Sequence, residues 1–358
     1  MLGKLGRLFA TVVVVIGLIV LLGRDWLAER AFQRALDTGV GVDRSAELPD
    51  GLHAYVCGSG SPMPDADRAG PCIAVLAGNQ AFVFDAGSGA IRKLLRMGFP
   101  IEKLQAGFLT HLHSDHIDGL GELLLQAWIG GSRGTPLPVY GPAETERVLD
   151  GLMQAYAIDK GDRVAHHGPA TARPAGYGGS ARLLTLPDGT DSMIAYDQGG
   201  VKITVIRVDH KPVAPAYAYR IDYKGRALAI SGDTVFSPSF NTATKGVDVM
   251  FHEALNKEMV AALGAKLAER GRKDAARIMA DIPDYHASPA DAARAAQAAG
   301  AKALVLYHLV PPVPVRLIER KFLGDAPGAF DGDLRLAHDG MLISLPAGGK
   351  SIHYTNAF

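Results

Sequence analysis

Short apolar runs at 52–57, 72–77 and 80–85 predict strands in an antiparallel meander, followed by a helix near 88–97 and a strand ending in GFLT at 107–110. Helical spacing returns at 118–129 and 142–157. Residues 160–200 lose periodicity and are rich in Gly and Pro, which predicts irregular loops with two short strands. A second strand series at 201–208, 215–223, 226–231 and 247–251 leads into helices near 256–270, 273–281 and 289–299 and a strand at 302–307. Strands then helices, twice over, predict an α/β fold of four layers, an αββα sandwich with two sheets face to face and helices outside.

The start of the chain follows a different pattern. Leu8 to Gly23 are uncharged, bounded by Lys4 and Arg7 before and Arg24 and Asp25 after. At about 1.5 Å per residue the run covers roughly 24 Å, which spans a hydrocarbon layer of about 30 Å with help from snorkelling flanks. No small-x-small cleavage site follows it, which favours an uncleaved anchor over a secretory signal; a buried helical hairpin is the competing reading. The predicted organisation is a membrane anchor over 1–24, a linker helix over 25–49 and one globular domain over 50–358.

Composition narrows the chemistry. The 358 residues hold 37 basic and 37 acidic side chains, so no overall pull toward a polyanion is expected. Two cysteines cannot make a four-thiolate zinc site, which leaves histidine and carboxylate as metal donors. Cys57 closes one strand and Cys72 opens another; they are either bridged, which places the domain in an oxidising compartment, or two buried free thiols.

The chemistry concentrates in Thr110-His111-Leu112-His113-Ser114-Asp115-His116, where four potential ligands occupy six positions after an apolar strand. His111 and His113 point the same way in extended backbone, while Asp115 and His116 turn onto the next helix. Imidazole and carboxylate suit zinc. Further candidates end later strands: Asp209-His210 after VKITVIRV, Asp233 after ALAISG, and His308 after KALVLY. Asp233 could bridge two ions through its two oxygens.

This constellation resembles the metallo-β-lactamase fold over roughly 50–345. The resemblance implies two divalent ions, zinc by donor type: one held by His111, His113 and His210, the other by Asp115, His116 and His308, with Asp233 bridging and a hydroxide nucleophile between them. The SGDT aspartate argues against true β-lactamases. Phe251-His252-Glu253-Ala254 and Tyr285-His286-Ala287-Ser288 are similar to motifs of the ribonuclease Z branch, as is the segment from His210 to Ala218-Tyr219-Arg220. CGSGSPMPDADRAGPC and DLRLAHDGMLISLP look most like arylsulfatase-like members of that branch. Ribonuclease Z carries a transfer-RNA-gripping arm between the third metal histidine and the bridging aspartate, whereas here only 22 residues separate His210 from Asp233.

The expected activity is therefore hydrolysis of aryl sulfate esters, with a small anionic ester as substrate and no nucleic acid as partner. Hydrolysis of small phosphodiesters is the alternative, and a non-catalytic metal-binding protein the third reading. Asp115, His286 and Glu253 are the expected catalytic residues, with His286 donating a proton to the leaving oxygen and Glu253 orienting it. Asp85 is expected to orient a metal-binding histidine. Arg68 could meet an anionic ester or form a surface ion pair, and His166 and His167 could line the pocket mouth. The expected setting is the inner membrane with the domain in the periplasm, or secretion if the anchor is cleaved; a homodimer is also compatible.

Overall fold

The computed structural model describes residues 2–358 and divides into two units, separated after Arg44. The first unit is built on one helix, α1 (Leu2–Gly39), which continues through the polar residues that follow the apolar run. No proline interrupts it. Its apolar side chains from Val12 to Leu22 are exposed, as is Phe9, with Phe9 at 73% and Leu22 at 81%. Among the described residues, this is the one helix long and apolar enough to cross a membrane.

The second unit starts with β1 (Gly51–Gly58), β2 (Cys72–Ala77), β3 (Gln80–Phe84), β4 (Leu104–Phe108), β5 (Leu137–Gly141) and β6 (Gly179–Leu183). The other sheet follows: β7 (Ser192–Gln198), β8 (Val201–His210), β9 (Val213–Tyr223), β10 (Arg226–Ile230), β11 (Val249–Leu255), β12 (Ala303–Val310) and β13 (Asp333–Leu336). The chain then returns to the first sheet with β14 (Met341–Pro346) and β15 (His353–Asn356). The orders are β15-β14-β1-β2-β3-β4-β5-β6 and β13-β12-β11-β10-β9-β8-β7. Each sheet pairs antiparallel on one side and parallel on the other, through β3-β4-β5-β6 and β10-β11-β12-β13.

Beyond α1, the helices are α2 (Ala90–Arg96), α3 (Ser114–Ile117), α4 (Leu120–Ile129), α5 (Thr145–Ala155), α6 (Ala157–His167), α7 (Pro238–Ala243), α8 (Lys257–Glu269), α9 (Lys273–Asp281), α10 (Pro289–Ala299) and α11 (Glu319–Leu323). Three apolar layers hold the stack together. Between the sheets lie Phe82, Phe84, Phe108, Tyr219, Phe251 and Tyr307; α2, α4 and α5 cover the outside of the first sheet and α7, α10 and α11 that of the second. This is the four-layer αββα sandwich that the element order predicts. Helix α6 replaces part of the expected irregular stretch; its sequence AIDKGDRVAHH is mostly polar and buries no side chain, so no apolar run announces it. Strands β13–β15 are short, and two of them are mostly exposed, which weakens their sequence pattern.

Cys57 and Cys72 form a disulfide across β1 and β2, enclosing the loop that leads toward the site. Replacing both cysteines with alanine frees a 15-residue loop in the unfolded chain. The expected cost is about 3 kcal/mol, checked by chemical denaturation of the double variant against the parent.

Candidate metal centre

The parallel strands aim their carboxyl ends at one edge of the sandwich, and the polar residues gather there. His111 and His113 follow β4, His113 caps α3, and Asp115 and His116 lie in that helix's single turn. His210 ends β8, Asp233 follows β10, and His308 lies near the end of β12. The two sheets are tied beside them: the Tyr217 amide of β9 donates to the Thr110 carbonyl at 2.9 Å.

Two backbone features aim the candidate donors. In β12, His308 has no partner residue on β11, because pairing jumps from Glu253–Tyr307 to Ala254–Leu309. It takes φ of 46°, a left-handed conformation rare for a non-glycine residue, and the bulge turns its side chain to the site. At Gly232, φ is +59° and a Cβ would stand 2.7 Å from the Tyr217 carbonyl, so the residue before Asp233 must be glycine for that carboxylate to arrive where it does.

Seven side chains converge. One group is His111, His113, His210 and Asp233; a second is Asp115, His116 and His308; Asp233 also lies with His286 and His308. The Asp233 carboxylate lies 3.4 Å from His116 Nε2 and from His308 Nε2, and 3.9 Å from His111 Nε2 and from His210 Nε2. Asp115 Oδ2 sits 3.2 Å from His308 Nε2 and 3.5 Å from His116 Nε2.

The outward nitrogens of three of these histidines are held. His116 Nδ1 meets Asp85 at 2.8 Å, His210 Nδ1 meets the Tyr285 carbonyl at 3.0 Å, and His111 Nδ1 meets Thr110 Oγ1 at 3.0 Å. Asp85 also accepts from the Thr110 amide and hydroxyl, 2.8 Å each, from a backbone with φ of 54°. The inward atoms His111 Nε2, His116 Nε2 and Asp233 Oδ1 are buried with no hydrogen-bond partner. Buried acceptors left unpaired cost about 1–3 kcal/mol each. Divalent cations between these atoms would use them all, and imidazole with carboxylate is the donor set zinc takes.

Charge acts in both directions in the cluster: burial opposes protonation of His116 and His308, but Asp233 with Asp85 outweighs it at His116, raising it well above the ordinary imidazole range, and Asp233 with Asp115 raises His308. Burial pushes the His111 imidazole well down, and neighbouring His116 adds to it, so it presents a neutral lone pair. Burial opposes ionisation of Asp233, but His308 and His116 outweigh it and hold the carboxyl well below its ordinary range. His286 lies at the cleft edge, its Nδ1 2.9 Å from Glu253 Oε1. Burial lowers its affinity for a proton, yet Glu253 and then Asp233 reverse this and raise it to about 9. Glu253 is fully buried and also accepts from the Thr234 and Ala287 amides.

The cleft, about 400 Å³, has one polar and one apolar side. Met63, Ile278, Met279, Ile282, Tyr285 and Val310 face the donor cluster. Of these lining residues, Tyr285 lies in the Tyr285-His286-Ala287-Ser288 motif, whereas Ile278, Met279, Ile282 and Val310 carry no signal in the sequence that marks them for the cleft. Arg68 turns away from the cleft and donates to Ser59 Oγ and the Ala337 carbonyl. His166 and His167 end α6, exposed and away from the cleft lining. His252 is buried, its Nδ1 on the Glu253 carbonyl.

A family model described as a β-lactamase superfamily domain matches residues 80–309. Ribonuclease Z of Mycobacterium marinum is 34% identical over 290 residues, covering 80% of this chain and 96% of that protein. Ribonuclease Z of Mycobacterium sp. (strain KMS) is 35% identical over 289 residues, covering 80% and 94%. The chain belongs to the ribonuclease Z-like branch of the metallo-β-lactamase superfamily. Among solved structures, human tRNase Z, short form, aligns with a TM-score of 0.58 at 21% identity, covering 82% of this chain and 98% of that one. The metallo-β-lactamase fold protein YhfI from Bacillus subtilis gives 0.58 at 24%, covering 82% and 98%. These two share the fold.

This ribonuclease Z-like protein is a metal-dependent hydrolase of ester bonds, and two expectations fall. The arylsulfatase reading does not stand, because relatives matching over nearly their whole length are ribonucleases. Its cause was chemical: the same donor cluster serves sulfate and phosphate esters, so the ligands carry no vote between them. The exclusion of a nucleic-acid partner falls on the same finding. Zero net charge averages over the whole surface and says nothing about a local basic patch.

Asp85→Ala should leave His116 free to rotate and lower metal affinity about 10–100-fold, read by competition with a chromogenic chelator. Unchanged affinity would show that Asp85 does not position the ligand.

Proposed function

We propose that this protein is a metal-dependent phosphodiesterase with ribonuclease Z-like chemistry acting on RNA, tethered to a membrane by α1. The observation that carries it is the proton-holding pair His286–Glu253 beside the double donor cluster, in a chain aligned with ribonuclease Z over 96% of the relative's length. His111, His113, His210 and Asp233 would hold one divalent ion, and Asp115, His116 and His308, with Asp233, a second. Bound there, the ions would supply Lewis-acid stabilisation and make a water molecule acidic enough to ionise near neutral pH.

The chain's own residues account for the remaining steps. The donor cluster fixes the phosphodiester at the polar side of the cleft, while Met63 and Met279 keep water from the opposite side. As a P–O bond forms to the attacking oxygen, the P–O bond to the leaving oxygen breaks. His286 Nδ1–H is held by Glu253, so its Nε2 proton is the one available to that leaving oxygen. A ribose alkoxide is a far poorer leaving group than a nitrophenolate, so protonation matters most for the natural bond. The Cys57–Cys72 disulfide supports an oxidising compartment for the domain.

His286→Ala should lower turnover of an RNA dinucleotide by about 10²–10⁴ and of bis-nitrophenyl phosphate far less. Equal losses on both substrates would remove His286 as proton donor. Because its acid form is lost as pH rises, activity should fall on the alkaline side. Glu253→Gln, which removes the charge that holds the proton, should move that fall to lower pH in a pH–rate profile.

A further inference from the structure

The β8–β9 connection turns within residues 211–212, so this strand pair sends no arm toward a substrate. Another element overhangs the cleft. Helices α8 and α9 form a hairpin whose descending helix contributes Ile278 and Met279 to the cleft lining, with Ile282 just beyond it. The hairpin is anchored at its base: Val260 packs with Leu255 and Val310, joined by Met63, Met279 and Ile282, while Gly264 lets α8 approach Met279. Its far end is different, for α9 has no fully buried residue.

That far end is basic. From Lys266 to Arg277 the sequence KLAERGRKDAAR holds five basic and two acidic residues, a local charge of +3 in a chain of zero net charge. Lys266 pairs with Glu269 and Arg277 with Asp281, so the outer members of the run are spoken for. Arg270, Arg272 and Lys273 at the turn are exposed, and none of them takes part in an ion pair among the described residues. Lys273 stands five residues before Ile278 on the same helix, about 8 Å along its axis, so the basic turn lies just outside the cleft rim. A surface like this, exposed, cationic and beside a phosphodiester-sized cleft, attracts a polyanionic strand through counterion release without reading its sequence.

We infer that the α8–α9 turn, through Arg270, Arg272 and Lys273, grips the phosphate backbone of single-stranded RNA a short distance from the bond held at the donor cluster. The inference rests on the phosphodiesterase reading and adds where the polymer is bound. It makes RNA recognition here a function of this hairpin, and it makes binding strongly dependent on salt.

The test uses the full chain, loaded with metal, and the triple variant Arg270→Gln, Arg272→Gln, Lys273→Gln. The substrates are a single-stranded oligoribonucleotide and bis-nitrophenyl phosphate, which is too small to reach the turn. The expected result is a loss of tenfold or more in kcat/KM for the oligonucleotide at low salt, carried by KM. The plot of log kcat/KM against log salt should become shallower by about 2, from roughly 0.7 per phosphate contact. Turnover of the small diester should stay within about twofold. Oligonucleotide cleavage and salt slope equal to the parent's would overturn the hairpin inference alone, and so would equal losses on both substrates. If the parent hydrolyses the small diester but leaves the oligonucleotide intact at every salt concentration, it is the RNA reading itself that fails.

Discussion

The structure depends on burying a cluster of lone pairs that have nothing to bond to inside the protein. His111 Nε2, His116 Nε2 and Asp233 Oδ1 are buried and, among the described residues, complete no hydrogen bond. A folded chain tolerates such a cluster only where something outside the polypeptide satisfies it or where surrounding structure forces it. Both conditions are visible. The donors match a divalent cation, and the outer ring of Thr110, Asp85 and the Tyr285 carbonyl leaves the imidazoles little freedom to rotate away. The sandwich architecture supplies that rigidity, since strand ends from both sheets meet at one edge and a backbone hydrogen bond joins them there.

Function follows from the contrast between the two sides of the cleft. One side is a dense array of charge-bearing donors, and the other is methionine, isoleucine and valine. The apolar wall borders that array, so each electrostatic contact on the polar side acts beside a medium of lower dielectric than the solvent. His286 belongs to both sides: its ring borders the open space while Glu253 anchors it from below, fully buried.

Much of this was legible in the sequence, for identifiable reasons. The ligand loop is compressed into six positions, and His210 and Asp233 stand where an apolar strand run stops, while His308 is the one polar break in the apolar run of β12, which continues through Leu309 and Val310. The layer order was legible because strand and helix runs are long and repeat. Helix α6 was not, because a mostly polar helix that buries nothing stands out little from the Gly- and Pro-rich stretch that follows it. Arg68 was ambiguous for the reason most arginines are: nothing local tells whether its long side chain reaches out or in, and here it ties the 59–69 loop to Ala337. The substrate class was misread because the donor set constrains the reacting centre and leaves the remainder of the ligand open. What grips that remainder is a hairpin of ordinary helical sequence, whose relevance emerges only from where the fold sets it down.

The bulge at His308 carries one more consequence. Along β12 successive residues alternate between the inter-sheet core and the outer helical layer, and the extra residue resets that alternation by one step. The ligand's direction is therefore encoded by a count of residues as much as by their identity. Point changes elsewhere in β12 can drift through many hydrophobic choices while His308 keeps its aim. Losing or gaining one amino acid between Ala303 and His308 would swap inside for outside, turning an imidazole into a core intruder although every remaining residue kept its identity.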